Sequence, residues 1–271
     1  MSQLLHYKQF GDTKSNQVIF FLHGLLGSLD NWRSQAKHIA TQYTVRAITP
    51  DIRNHGQSPH LSGMRYKDMA GDVLRLADHL NIDAFDLLGH SMGGKVAMYL
   101  ALHHPDRLNK LIIVDIAPRP YTLWHLPVFK ALLSLPVDRI GSRKQASELL
   151  AAHIPDHAER AFLLKNLKMA DGGGYEWRCD LQEITRAYLN IANFNSPDHA
   201  VFDKPCLFVR GENSPYIDPE NDQEIITQLF PQANIQSITN AGHLPHVEAP
   251  EAFYHSIESF LKPDPQKRSF V

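Results

Sequence analysis

The pentapeptide Gly89-His90-Ser91-Met92-Gly93 limits what this chain can fold into more than any other stretch. An apolar run ends at Leu88, and a helix-compatible run covers residues 95–102. A serine between glycines at such a junction is a G-x-S-x-G nucleophile elbow. The turn lifts the hydroxyl clear of the backbone, and the flanking positions must be small because strand and helix nearly touch. On average composition such a pentapeptide arises by chance in about one chain of ten this long, so its context carries the weight. The context here is a strand before it and a helix after it, which is the setting the chemistry needs.

The chain has 271 residues, enough for one domain with an inserted subdomain. A net charge of -2 leaves no electrostatic footprint for nucleic acid or a membrane surface, and neither is expected as a partner. The two cysteines, Cys179 and Cys206, form no CxxC motif and point to a reducing compartment. The first residues lack a signal-peptide h-region, and no apolar run approaches the roughly 18 residues of a membrane span. A cytoplasmic protein, monomeric or homodimeric, is expected. The 16 histidines are scattered. His103-His104 and His243-x-x-His246 have no third ligand nearby in sequence, so no metal and no cofactor are expected.

The apolar run Val18-Ile19-Phe20-Phe21-Leu22 predicts a buried strand, and 4–10, 44–48, 84–88 and 111–114 predict others. Helices are predicted over 31–40, 66–80 and 93–104. Met69, Val73, Leu76, Ala77 and Leu80 recur at helical spacing in the second of these. Alternating strands and helices imply a mostly parallel, doubly wound sheet, whose ligands bind beyond the carboxyl ends of the strands. From 117 to 200 the pattern breaks. Helices are expected over 123–135, 143–153, 158–169 and 181–191, with a turn at Asp171-Gly172-Gly173-Gly174 and no buried strand. The sheet pattern resumes with strands at 205–209 and 234–238 and helices at 220–230 and 250–261. The expected organisation is a core of 1–116 and 201–271, a helical cap of 117–200, and a frayed tail from 262.

A serine hydroxyl needs a base within hydrogen-bond reach. His243 follows the last strand in the turn Asn240-Ala241-Gly242, and the chain order for an elbow serine is serine, acid, histidine. His246 is the neighbouring decoy. The oxyanion needs two backbone N–H donors. Met92, which follows the serine, supplies one, and Leu25 in the loop His23-Gly24-Leu25 is expected to supply the other.

Together, His23-Gly24-Leu25, Asp51-x-Arg53-Asn54-His55-Gly56-x-Ser58, Gly89-His90-Ser91-Met92-Gly93-Gly94-Lys95 and Asn240-Ala241-Gly242-His243 resemble the α/β-hydrolase superfamily. The resemblance covers about 4–261 and implies an α/β-hydrolase fold. Gly27-Ser28-Leu29-Asp30-Asn31, Val114-Asp115-Ile116-Ala117-Pro118 and Asn213-Ser214-Pro215-Tyr216 narrow it to the bacterial YbfF-type esterases and their mitochondrial relatives. That group is associated with hydrolysis of short acyl esters and acyl-CoA thioesters.

The superfamily's usual acid follows the strand at 207–209, but Ser214 follows Gly211-Glu212-Asn213 here. Asp115 ends the strand beside the elbow strand and faces the same crevice, and the YbfF-type resemblance implies this position too. Asp218 ranks second and Glu212 third. Asp51 and Arg53 are read as a structural charge pair behind the second loop. Trp124, Phe129, Leu132 and Leu133 suggest an acyl slot or ordinary core. From 117 to 200 there are ten Lys/Arg against nine Asp/Glu, so the basic cap that CoA phosphates would favour is absent. Ser91 argues against the Asp-nucleophile dehalogenases and epoxide hydrolases. Carbon–carbon bond hydrolases and cofactor-free haloperoxidases stay open. A catalytically dead binding module would usually have lost the serine or the histidine.

Overall fold

The computed structural model describes residues 3–197 and 199–262; most of the tail expected from 262 onward lies outside the described residues. The chain opens with β1 (Tyr7–Phe10) and β2 (Val18–Leu22). All five side chains of β2 are buried, as a strand covered on both faces requires. A 3-10 turn over Leu29–Trp32 leads into α1 (Arg33–Tyr43). Thr44 then adopts a left-handed conformation (φ 53°), so β3 (Arg46–Pro50) starts two residues later than its sequence suggests. Next come α2 (Tyr66–His79), β4 (Phe85–His90), α3 (Met92–His103) and β5 (Leu108–Val114).

The segment that follows gives no strand to the main sheet. It holds α4 (Leu126–Ser134), α5 (Arg143–Leu150), α6 (His157–Leu163), β6 (Leu167–Met169), β7 (Tyr175–Trp177), α7 (Leu181–Arg186) and α8 (Tyr188–Ala192). The helix expected over 158–169 thus stops at Leu163, and its last residues pair antiparallel with β7 across the glycine turn. Three-residue strands are too short to show a period of two, which hides the hairpin from a periodicity argument. The core resumes with β8 (Cys206–Gly211), α9 (Gln223–Leu229), β9 (Ala233–Ile238), α10 (Pro245–Glu248) and α11 (Pro250–Leu261). The single-turn α10 carries no sequence signal beyond its proline.

Seven strands form one sheet in the order β1-β3-β2-β4-β5-β8-β9. Only the β1–β3 pairing is antiparallel. Alternate side chains face opposite layers. Ile19, Phe21, Leu88 and Val114 share a cluster with Trp32, Ile39, Phe253 and Ile257, so α1 and α11 cover one face. Phe20, Phe85, Leu87 and Ile113 share the other with Val73, Leu76, Val96 and Leu100 of α2 and α3. Each such buried side chain contributes about 1.5–3 kcal/mol by leaving water. The inserted helices have no core of their own: Phe129, Leu132, Ile184 and Tyr188 belong to this second cluster.

Backbones pack closely where α3 crosses β4 and β2. A Cβ on Gly89 would lie 2.2 Å from the Gly93 carbonyl oxygen, and one on Gly93 2.6 Å from the oxygens of Leu22 and His23. These are backbone atoms and cannot swing away. Gly71, inside α2, is different, since a Cβ there meets only the Arg75 guanidinium at 3.5 Å. Gly89→Ala is therefore expected to lower the unfolding free energy by about 3 kcal/mol, while Gly71→Ala raises it by about 0.5–1 kcal/mol. Urea midpoints of the two variants measure both; an unchanged Gly89→Ala midpoint contradicts the packing argument.

Candidate active site

Ser91 sits between β4 and α3 at φ 52° and ψ -117°, a strained conformation for a residue with a side chain. Its N–H donates to the Val114 carbonyl (3.0 Å), and its carbonyl accepts from Lys95 N (3.1 Å), so the turn is pinned from both sides. Among the described residues its hydroxyl has no hydrogen-bond partner; Ser91 lines the same cavity as His243. Catalytic hydrogen bonds are often long before substrate is seated.

Asp115 ends β5 in the left-handed region (φ 52°) and is fully buried. Its Oδ1 accepts from Gly211 N at 2.9 Å. Its Oδ2 accepts from His243 Nδ1 at 2.7 Å and from the Ser214 hydroxyl. Three donors converge on one carboxylate, which is how a buried charge is held. A carboxylate can only accept, so the proton is on Nδ1 and the His243 Nε2 lone pair is left free. Asp218 instead accepts from Glu220 N and Asn221 in its own loop, and Glu212 from Asn240 N.

Sequence reasoning passed over the groups that hold His243. Its ring stacks on Tyr216, with centroids 3.8 Å apart and planes at 19°. Its carbonyl accepts from His90 Nε2 at 2.8 Å. The Glu248 carboxylate accepts from Gly242 N (2.7 Å) and Leu244 N (2.9 Å), clamping the turn on either side. The one signal was Ser214 standing where the superfamily places its acid.

Two loops are braced against each other beside the elbow. Ile52 N donates to His23 Nε2 (2.9 Å), and Leu26 N donates to His55 Nε2 (3.2 Å). Each imidazole gives its Nδ1 proton to a carbonyl, Gly24 for His23 and Arg53 for His55. Burial holds both neutral, pushing His23 down to about 4 and His55 to about 3. Asp51 and Arg53 do not pair with each other as expected. Asp51 accepts from Leu29 N and Gln57 N, while Arg53 forks onto Asp72 at 2.5 and 2.8 Å. The brace carries Gly24 across the serine: a Cβ there would be 3.3 Å from Ser91 Cβ and 2.8 Å from His90 Nδ1. Leu25 and Met92 both line the cavity at this point, and Met92 opens α3, where the first N–H groups have no helical acceptor.

The cavity encloses about 590 Å³. Tyr121, Trp124, Val128, Phe162 and Tyr188 of the inserted segment form much of its wall. Of the expected slot residues only Trp124 reaches it; Phe129 and Leu132 are core, and Leu133 is exposed. Lys95 also lines the cavity, but its ammonium donates to the Ala192 and Asn193 carbonyls (2.8 and 3.3 Å). Among the described residues no three His, Cys, Asp or Glu gather as metal ligands, and no helix is long and apolar enough to cross a membrane.

Residues 17–162 match the family model described as the alpha/beta hydrolase fold. The chain is 38% identical over 263 residues to the sn-1-specific diacylglycerol lipase ABHD11 of Mus musculus, covering 95% of this chain and 85% of that protein. It is 35% identical over 248 residues to Esterase YbfF of Escherichia coli, covering 91% and 94%. Among solved structures, a marine microorganism esterase superposes with a TM-score of 0.91 at 34% identity, covering 96% of this chain and all of that one. The YbfF-type likeness carried by the motifs therefore extends over most of the chain.

Burial also holds His246 down, at about 3, where it stacks on Trp32. A histidine lowered from 6.5 on folding takes up its proton only on unfolding, so stability is lost as pH falls below about 6.5 toward 3–4. Each contributes a slope of about 1.4 kcal/mol per pH unit. Asp86, raised to about 6 by burial, opposes this in part. His246→Phe keeps the stack and is expected to remove about 1 kcal/mol of the stability lost between roughly pH 6 and 5. Denaturant midpoints at the two pH values check it.

Proposed function

The chain belongs to the α/β-hydrolase family, and from that premise we propose that it is a serine hydrolase of short- to medium-chain acyl esters. The observation that carries this reading is the Asp115–His243 pair at 2.7 Å, opening onto the cavity that the elbow serine lines. In the proposed cycle His243 Nε2 takes the Ser91 proton as the oxygen attacks the ester carbonyl. Backbone N–H groups of Leu25 and Met92 receive the oxyanion. The proton then passes to the departing alcohol, and water, activated by the same imidazole, releases the acyl group. Asp115 fixes the tautomer and stabilises the imidazolium without taking its proton. Residues 117–200 act as a cap, supplying the apolar wall. The esterase and lipase names of the relatives at 35–38% identity support ester chemistry.

The same attack opens a thioester, but the wall favours a neutral substrate over acyl-CoA. Asp156, Glu159 and Glu248 line the cavity, and the ammonium of Lys95 is spent on carbonyls. Nothing in that set meets phosphate groups.

Ser91→Ala is expected to lower kcat/KM on p-nitrophenyl butyrate by at least about 10³-fold and to abolish labelling by a fluorophosphonate probe. Asp115→Asn is expected to cost a similar factor, because the amide presents a donor where a carboxylate must accept. An Asp115→Asn variant with full activity would overturn the acid assignment; negligible turnover by the wild type of every ester from acetate to palmitate would overturn the reading itself. Wild-type kcat/KM is expected to be more than about tenfold higher on the butyrate ester than on butyryl-CoA.

A further inference from the structure

One polar group on the cavity wall has no part in the proposed hydrolysis. His125 immediately precedes α4 in the inserted segment and lines the cavity. The phenol oxygen of Tyr188, the first residue of α8, lies 3.1 Å from the His125 backbone nitrogen and 2.7 Å from its Nδ1. The backbone N–H can only donate, so the phenol oxygen accepts there. No other acceptor for the phenol proton lies in reach among the described residues, so that proton goes to Nδ1. Nδ1 is then the acceptor, and the ring's own proton sits on Nε2. Nε2 has no partner among the described residues. Burial, with His243 nearby, lowers the pKa of His125, so the ring presents this single donor while staying neutral.

Three other polar groups on the same wall are already occupied. Lys95 is bound to two carbonyls, His90 to the His243 carbonyl, and Glu248 to two N–H groups. His125 also stands on the alcohol side of the site. In the proposed cycle His243 protonates the departing alcohol, and His125 is tied to that end of the cavity through Tyr216, which stacks on His243 at 3.8 Å and meets Trp124, the residue before His125. Trp124 and Tyr216 meet edge to face at 5.5 Å beside it, giving that side an apolar wall.

We infer that His125 is a specificity residue whose Nε2–H donates to a second oxygen on the alcohol half of the ester, so that a hydroxylated alcohol is preferred to a plain alkyl one. This rests on the esterase reading above. The matched pair that tests it is 2-hydroxyethyl butyrate against propyl butyrate, which differ by a hydroxyl in place of a methyl. Wild type is expected to favour the first by about tenfold in kcat/KM. His125→Phe is expected to bring the ratio near one while leaving propyl butyrate within about threefold of wild type. His125→Gln, which keeps a donor, recovers part of the preference. Tyr188→Phe, which releases Nδ1, reduces it. A wild-type ratio near one, a ratio that survives in His125→Phe, or an equal fall on both esters overturns the assignment alone. Turnover of neither ester by wild type overturns the esterase reading and this assignment together.

Discussion

The buried carboxylate of Asp115 ties together three parts of the chain that are remote in sequence. It ends β5, accepts from the backbone of β8 through Gly211, and accepts from Ser214 and His243 in the loops after β8 and β9. An unpartnered carboxylate at this depth would be costly, so the site is stable only while all three donors stay in place. The loops that deliver those donors are consequently fixed by the same charge that orients the imidazole. The three donors converging on this carboxylate fix its position, and the strand end holds a β-carbon-bearing residue in the left-handed region to meet them.

A second layer of support is made from neutral imidazoles. His23 and His55 each accept one backbone N–H and donate to one carbonyl, so they work as two-sided connectors between the loops after β2 and β3. A lysine or arginine could not accept, and a carboxylate could not donate. The arrangement holds the path of Gly24 and Leu25 beside Ser91 through neutral rings, with no formal charge of its own. Arg53 is kept apart from them by its fork onto Asp72.

Much of the fold was legible because parallel strands buried on both faces must be continuously apolar, and Val18–Leu22 is. The elbow was legible because close contact between backbones leaves glycine no substitute. That Asp115 meets His243 and that Ser91 shares a cavity with it could be read from their places at strand ends, where a doubly wound sheet gathers its loops. What stayed hidden were groups whose role depends on distance in space. Nothing local marks Tyr216 as lying flat on His243, or Glu248 as bridging the amides around it. The β6–β7 hairpin was hidden for another reason: its strands are too short to have a period. Asp51 and Arg53, two residues apart, invited a pairing that the loop does not make, because each meets partners from other segments.

The way the inserted segment is fastened bears on how such a scaffold can diversify. Asn166 and Asp180 reach the loop carbonyls of Leu26 and Asn54, Glu183 receives Gly63 N, and Tyr66 and Lys95 reach the carbonyls of Ile191 and Ala192. Half of each bond is supplied by the sheet's own loops or helices, and the apolar cluster runs through the junction without a break. The helices and hairpin between β5 and β8 are therefore fastened to the sheet's own loops and helices and share its core. A graft of this segment from a relative would still offer Tyr66 and Lys95 their backbone carbonyls, but it would have to bring an asparagine at 166 and a glutamate at 183, whose side chains make the bonds in the other direction.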